Sequence, residues 1–355
     1  MRRDQLLWSS LVLAACVAGG ALECSHRSET AAEVHGGELY GRMCSVCHGP
    51  SGEGYKADQA PAIAHPDFLA SATDAFLRDA IVQGRAGTTM SAWGVENGGP
   101  LIRTDVDALV AFLRTWEKRP RAKLDERPSS GDVSRGAETF EHACAGCHGA
   151  RGTTGPSIRI GDSGFLGSAT DGFLRYAIEL GRSGTAMRPF ADSLGQGGIE
   201  DVVALLRSWQ SKLPRVARGP SAHPPPLPLG PVPLNPKGPE PVGFRAQPGT
   251  TPADAVKAQL DRHARMGILD ARAPSDYARE HIAGAVSVPF YDPDPYVAAL
   301  PKDAWLVCYC ACPHAESGQL AQKLLAKGFT KVTVLDEGLG VWKGRKYETR
   351  MGLEP

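Results

Sequence analysis

Residues 44–48 read Cys-Ser-Val-Cys-His, and residues 144–148 read Cys-Ala-Gly-Cys-His. Both follow C-x-x-C-H, the spacing at which two thiols add across the vinyl groups of one haem while the adjacent histidine lies under the iron. A C-x-x-C without the histidine would suit a redox dithiol or half of a zinc site equally well. The histidine and the recurrence of the pattern favour two covalently bound haem c groups. Their attachment points would be Cys44, Cys47, Cys144 and Cys147.

The two pentapeptides belong to a longer internal repeat. The segment Phe68–Met90 matches Phe165–Met187 at most positions, and both segments end in Gly-Arg-x-Gly-Thr-x-Met. Two copies indicate a duplication, because solenoid arrays need more units than this. Each copy closes with an amphipathic helix, whose natural partner is the helix ahead of C-x-x-C-H. A glycine in that first helix would let the two axes approach closely, and the aromatic residues are expected to pack in the core.

A c-type haem takes a second axial ligand, and a methionine thioether raises the reduction potential relative to a second histidine. Met90 follows His48 by 42 residues, and Met187 follows His148 by 39. Their matched positions in the two repeats favour His48/Met90 and His148/Met187 as axial pairs. His65 is the alternative sixth ligand for the first haem.

The N-terminal residues 1–25 have the pattern of a targeting segment. A positive start at Arg2 and Arg3 precedes an apolar stretch of about ten residues, which is too short to span a bilayer as a helix. The stretch ends in Leu-Ala-Ala-Cys at residues 13–16, which resembles a bacterial lipoprotein box with Cys16 as the acylated residue. Ordinary signal cleavage slightly downstream is the alternative. Either predicts an exported, periplasmic protein, and the first predicts a lipid anchor as its only attachment to the membrane.

Composition excludes some classes of protein. The 355 residues include 39 Lys and Arg against 39 Asp and Glu, and this even mixture indicates no nucleic-acid partner. Nine cysteines are present, but most have assignments other than disulfides, so a dense disulfide framework is not indicated.

Residues 214–251 are rich in proline, which favours an extended, semi-rigid linker.

After this linker, short apolar runs alternate with helical stretches, which indicates a parallel sheet covered on both faces. These runs are Met266–Asp270, Ala285–Val288, Trp305–Cys310 and Lys331–Leu335.

The N-terminal repeats resemble a known family. Residues 36–117 and 132–210 are similar to small class I cytochrome c domains, close to those of bacterial haem–copper oxidase subunits and cytochrome c6. The resemblance rests on G-x-x-x-[YF]-x-x-x-C-x-x-C-H-G, on G-x-x-G-T-x-M and on a terminal helix ending in Leu-Arg-x-Trp. It implies a compact helical fold around each haem and redox proteins or a membrane electron-transfer chain as partners. Such domains often have proline after the methionine, whereas Ser91 and Arg188 stand there.

Residues 252–350 resemble one whole rhodanese domain, through the segments 269–289 and 334–342. The family places a nucleophilic cysteine after its central strand, where backbone N–H groups and a helix N-terminus stabilise a persulfide anion. The resemblance implies Cys310 as that nucleophile. Cys312, which departs from the family pattern, is a candidate either to resolve the persulfide or to form a reversible bond with Cys310. The loop after Cys310 lacks the Arg or Lys that many relatives use for an anionic sulfur donor, so a neutral or protein-bound persulfide is the easier donor to accept.

The sequence therefore predicts a multidomain chain: two all-α cytochrome c domains and one α/β rhodanese-like domain with a parallel sheet. The expected boundaries are 30–119 and 127–213 for the cytochrome domains, and 252–352 for the rhodanese-like domain. One hypothesis is an exported dihaem electron carrier whose third domain binds or transfers sulfane sulfur. The other is a pure electron-transfer protein whose rhodanese-like domain is an inactive docking or sensing module.

Overall fold

A computed structural model describes residues 28–55, 60–210, 223–232, 234–311 and 314–355. The expected leader with Cys16, and also Cys312, lie outside the described residues. None of the helices in the described part of the chain is both long and apolar enough to cross a membrane.

The two repeats fold into similar sets of helices. The first contains α1 Ala31–Leu39, a π-helical turn Tyr40–Cys44, α2 Ser45–His48, α3 Pro66–Ser71, α4 Asp74–Gln83 and α5 Arg103–Arg114. The second contains α6 Val133–Ala143, α7 Ala145–His148, α8 Ser163–Ser168, α9 Asp171–Leu180 and α10 Ala191–Ser208. In each repeat the first helix packs against the last.

A glycine in the first helix of each repeat allows this packing, as the sequence predicts. A Cβ atom at Gly36 would lie 2.0 Å from the carbonyl oxygen of Ala108, and one at Gly136 would lie 2.1 Å from that of Asp201. The aromatic side chains beside these contacts are core residues, which confirms that prediction. Phe140 meets Trp209 edge-on, with 5.0 Å between ring centroids.

Equivalent residues of the two repeats pack against each other. The rings of Phe76 and Phe173 occupy the same repeat position and stack at 4.9 Å between centroids. The guanidinium of Arg85 lies over Phe76, and that of Arg182 lies over Phe173. The two helical units therefore meet face to face around a pair of matched aromatic residues.

The C-terminal part is an α/β unit built on a five-stranded parallel sheet of strand order β1-β6-β5-β2-β4. The strands of that sheet are β1 Thr250–Thr251, β2 Met266–Asp270, β4 Ala285–Ser287, β5 Trp305–Tyr309 and β6 Val332–Leu335. A separate antiparallel pair is β3 His281–Ile282 with β7 Thr349–Arg350. The helices are α11 Ala253–Asp261, α12 Pro274–Arg279, α13 Asp294–Val297, α14 Ala315–Ala326 and α15 Gly338–Gly344. All four apolar runs form parallel strands, which confirms that part of the prediction.

The proline-rich segment lies against this unit where it is described. The backbone N–H of Leu234 donates to Met266 O at 2.8 Å, and Gln247 N–H donates to Val332 O at 2.9 Å. Phe244 meets the ring of Trp305 edge-on. Strand β1, the edge strand of the sheet, begins at residue 250. It therefore lies just before residue 252, where the sequence predicts that the rhodanese-like domain begins.

Candidate functional site

The first C-x-x-C-H motif forms a tight turn at the end of a helix. Helix α1 passes through the π-helical turn into α2, and this brings Cys44, Cys47 and His48 together on about one and a half turns of backbone. Gly49 follows with φ of 78°, and its carbonyl oxygen accepts a hydrogen bond of 2.6 Å from the hydroxyl of Tyr40. The second motif ends in the same way, at Gly149 with φ of 74°.

Both motif histidines are oriented by a backbone carbonyl. Nδ1 of His48 lies 3.1 Å from Pro61 O, and Nδ1 of His148 lies 3.0 Å from Ile158 O. A carbonyl oxygen only accepts, so Nδ1 carries the proton and Nε2 retains its lone pair for a metal. Metal-ligating histidines are typically held in this way. Burial also lowers the pKa of both imidazoles, which keeps them in the neutral form that iron binds.

Two of the motif cysteines, Cys44 and Cys144, are not activated thiols. Burial raises the pKa of Cys44 to about 12 and that of Cys144 to about 11. A redox dithiol or a zinc site needs thiolates, which are favoured by a lowered pKa. A neutral thiol close to an oriented imidazole fits covalent attachment of haem.

Met90 and Met187 occupy matching loops. Each loop starts at a glycine with positive φ, Gly84 or Gly181. The carbonyl oxygen of Met90 accepts from Arg85 N–H at 2.9 Å, and that of Met187 accepts from Arg182 N–H at 2.7 Å. Both methionine side chains lie partly buried against the hydrophobic core. The two repeats therefore present a thioether in the same local geometry.

His65, the alternative sixth ligand, has both ring nitrogens in hydrogen bonds. Its Nδ1 accepts from the backbone N–H of Asp67 at 3.2 Å, and its Nε2 donates to Ser183 O at 2.8 Å. The second of these bonds joins the two helical units, because Ser183 belongs to the second repeat. The histidine caps α3, and nothing in its local sequence distinguishes a cap from a ligand.

Cys310 lies at the carboxyl end of the central strand β5 and is fully buried. Its Sγ lies 3.3 Å from the hydroxyl oxygen of Ser317. Helix α14 begins five residues after the cysteine, so its positive N-terminal end and the Ser317 hydroxyl lie where they would favour negative charge on the sulfur. His314, at the start of α14, pairs with Asp336 at 3.3 Å. Sequence reasoning missed Ser317, although its position in the first turn of that helix was visible.

The neighbouring polar groups brace the sheet. Arg272 donates two hydrogen bonds to the buried carboxylate of Asp270, at 2.9 Å and 2.6 Å, and the hydroxyl of Tyr309 also donates to it at 2.5 Å. Cys308 points into the core, and burial raises the pKa of its thiol. Of the two described cysteines in this strand region, only Cys310 stands at the helix N-terminus.

Comparisons with known protein families identify the same three units of the chain. The model of the family "Cytochrome C oxidase, cbb3-type, subunit III" matches residues 31–113 and again residues 131–206. The model of the rhodanese-like domain matches residues 252–345.

Individual relatives match the C-terminal domain. The chain is 33% identical over 88 residues to the thiosulfate sulfurtransferase GlpE of Pseudomonas fluorescens, covering 24% of this chain and 79% of that protein. A crystal structure of the Alr3790 protein from Anabaena sp. is 30% identical, covering 29% of this chain and 81% of that chain with a TM-score of 0.28.

A further similar structure is that of the reducing HAO-like protein complex Kustc0457/Kustc0458 of Kuenenia stuttgartiensis. The identity is 20%, with 50% of this chain and 96% of that chain covered and a TM-score of 0.36. Taken together, the matched ranges and the site geometry show that the chain carries two cytochrome c domains followed by a domain that belongs to the rhodanese-like family.

Proposed function

We propose that this chain is an exported dihaem c-type cytochrome that carries electrons and that binds sulfane sulfur on Cys310. Haem c, when bound, supplies a one-electron carrier to each cytochrome domain. His48 with Met90, and His148 with Met187, would be the axial ligands, and the four motif cysteines would hold the groups covalently. The matched histidine and methionine geometry of the two repeats supports this assignment.

The sulfur chemistry would take place at the N-terminus of α14. The thiolate of Cys310 attacks the outer sulfur of a persulfide donor, a new S–S bond forms, and the donor's own S–S bond breaks. The donor leaves as a thiolate with the bonding electron pair. The Ser317 hydroxyl and the helix dipole would stabilise the persulfide anion left on Cys310. The similarity to a thiosulfate sulfurtransferase supports this step.

One contact carries the proposal that the two activities belong together. Helix α14, which follows the Cys310 loop, packs against α2, the helix that presents His48. The sulfur site and the first haem motif therefore share an interface. Physiological electron partners would be redox proteins or a membrane electron-transfer chain, reached from a periplasmic location through a leader at residues 1–25 and a lipid on Cys16.

The alternative is an electron carrier whose rhodanese-like domain is inactive and serves for docking or sensing. The complete burial of Cys310 favours this alternative, since a donor sulfur must reach the thiol. The two hypotheses differ in whether Cys310 ever carries sulfur.

The test uses the full chain with its haems attached, and begins by measuring haem content per chain, expected to be two. Thiosulfate, sulfide and glutathione persulfide are then added separately while the absorbance of reduced haem and the mass of the Cys310 peptide are followed. We expect glutathione persulfide to add one sulfur atom to that peptide. Cys310→Ala should abolish this addition, whereas the matched control Cys308→Ala should retain it. A Cys310 peptide that gains no sulfur from any of the three donors would contradict the sulfur role and favour the docking alternative.

A further inference from the structure

The residue after each proposed methionine ligand differs between the two repeats. Ser91 follows Met90 and is only 3% exposed, and Ala92 and Trp93 after it are buried as well. Arg188 follows Met187 and is exposed, with its guanidinium 4.7 Å from the ring centroid of Phe190 in its own domain.

Two hydrogen bonds fix the first methionine loop to the rhodanese-like domain. The hydroxyl of Ser91 donates to Asp276 Oδ2 at 2.5 Å, and the hydroxyl of Ser275 donates to Ala92 O at 2.7 Å. Both bonds are buried, and both partners in the rhodanese-like domain belong to the first turn of α12. Hydrogen bonds to a carboxylate are stronger than neutral ones, so this attachment is firm.

An aromatic contact extends the same interface. The rings of Trp93 and Tyr291 are 5.5 Å apart, and both side chains are buried. Helix α14 contacts α2 in addition. The rhodanese-like domain therefore touches the first cytochrome domain on the loop of Met90 and on the helix of His48.

We infer that Ser91 is a positioning residue, which through Asp276 makes the methionine ligation of the first haem depend on the rhodanese-like domain while the second haem stays independent of it. The inference rests on the proposed ligation by Met90. Met90 would ligate a bound haem iron through a neutral thioether, which is a weak ligand. A loop fixed on a neighbouring domain would pass movements of that domain on to its methionine, and groups that orient a ligand tune the metal.

The experiment compares full-length holoproteins by redox titration and by the charge-transfer absorption of methionine-ligated ferric haem. Met90→Ala and Met187→Ala first assign each redox transition to one haem. Ser91→Ala should then shift the transition of the first haem to lower potential. It should also lower the intensity of the charge-transfer band by at most about half, because only one of the two haems is affected. The second transition should not move. Ser91→Thr keeps the hydroxyl and should restore the first transition, and Arg188→Ala, the matched position in the second repeat, should leave both transitions in place.

Ser275→Ala removes the other hydroxyl from the opposite side of the interface, and gives a second route if Ser91→Ala folds poorly. It should shift the same transition in the same direction. If Met90→Ala shifts the first haem but neither serine variant does, the coupling is absent and the inference is overturned. An equal shift of both haems would overturn it as well. If Met90→Ala itself leaves both transitions unchanged, the proposed ligation has failed, and the inference fails with it.

Discussion

Single glycines set the distance between the first and last helix of each cytochrome domain. Gly136 in α6 faces the backbone of α10, where its missing side chain leaves room for the carbonyl oxygen of Asp201. Gly197 lies in α10 itself with nothing within 4 Å of a Cβ atom. A close helix contact therefore requires glycine at position 136, whereas no contact requires it at position 197.

We predict that Gly136→Ala lowers the free energy of unfolding of the second domain by about 1 to 3 kcal/mol, because the new methyl group overpacks the helix contact. Gly197→Ala should instead change it by less than about 0.5 kcal/mol, since the new methyl group meets no neighbour in the first turn after the kink at Gly195. Chemical denaturation of the full chain measures both values. Equal effects of the two substitutions would contradict the close-contact role of Gly136.

At the scale of elements, helix α9 shows how the duplicated domains diverge. Its Arg175 is buried and donates to both carboxylate oxygens of Glu200 in α10, at 2.6 Å and 3.0 Å. It also donates to Asp125 O and Arg127 O, which ties the segment between the two domains to α9. The equivalent Arg78 of α4 pairs with Asp107, and those side chains are 39% and 42% exposed, so water screens this pair more than the buried Arg175 pair.

Arg175→Ala should therefore lower the free energy of unfolding by about 2 to 3 kcal/mol, because it leaves a partly buried carboxylate and two carbonyl groups without a donor. Arg78→Ala should lower it by less than about 1 kcal/mol, because ion pairs that water reaches contribute little to stability.

The hydrogen bonds from Arg175 hold the pKa of Glu200 below its usual value of 4.5. Stability gained in this way is present above pH 4.5 and is lost as the pH falls through the lower folded value. Denaturant titrations at several pH values should show the difference between wild type and Arg175→Ala narrowing in acid to the part that comes from the two carbonyl groups; a difference that stays constant would contradict the role of the ion pair.

At the scale of the whole molecule, the local parts of the structure could be predicted and the contacts between domains could not. The two C-x-x-C-H motifs, the helix pairs and the four central strands follow from spacing and periodicity, which a single segment carries by itself. Strand β1 at residues 250–251 is too short to show alternation. The hydrogen bond from Ser91 to Asp276 joins residues that are 185 positions apart, and neither segment has a sequence pattern that predicts its contact with the other. One hint was present: Ser91 follows Met90 at a position where class I cytochrome c domains often have proline.

The rhodanese-like domain and the first cytochrome domain should therefore protect each other from local opening. Tyr291→Ala removes the buried ring that packs on Trp93, and such pairs contribute about 0.5 to 1.5 kcal/mol beyond the area they bury. Hydrogen exchange measured by mass spectrometry should become faster in residues 91–94 and in α12, because local opening needs less free energy. Tyr347→Ala is the matched control, since the ring of Tyr347 meets that of Trp342 edge-on within its own domain. If both tyrosine variants change exchange at residues 91–94 equally, or neither does, the two domains are not coupled through this interface.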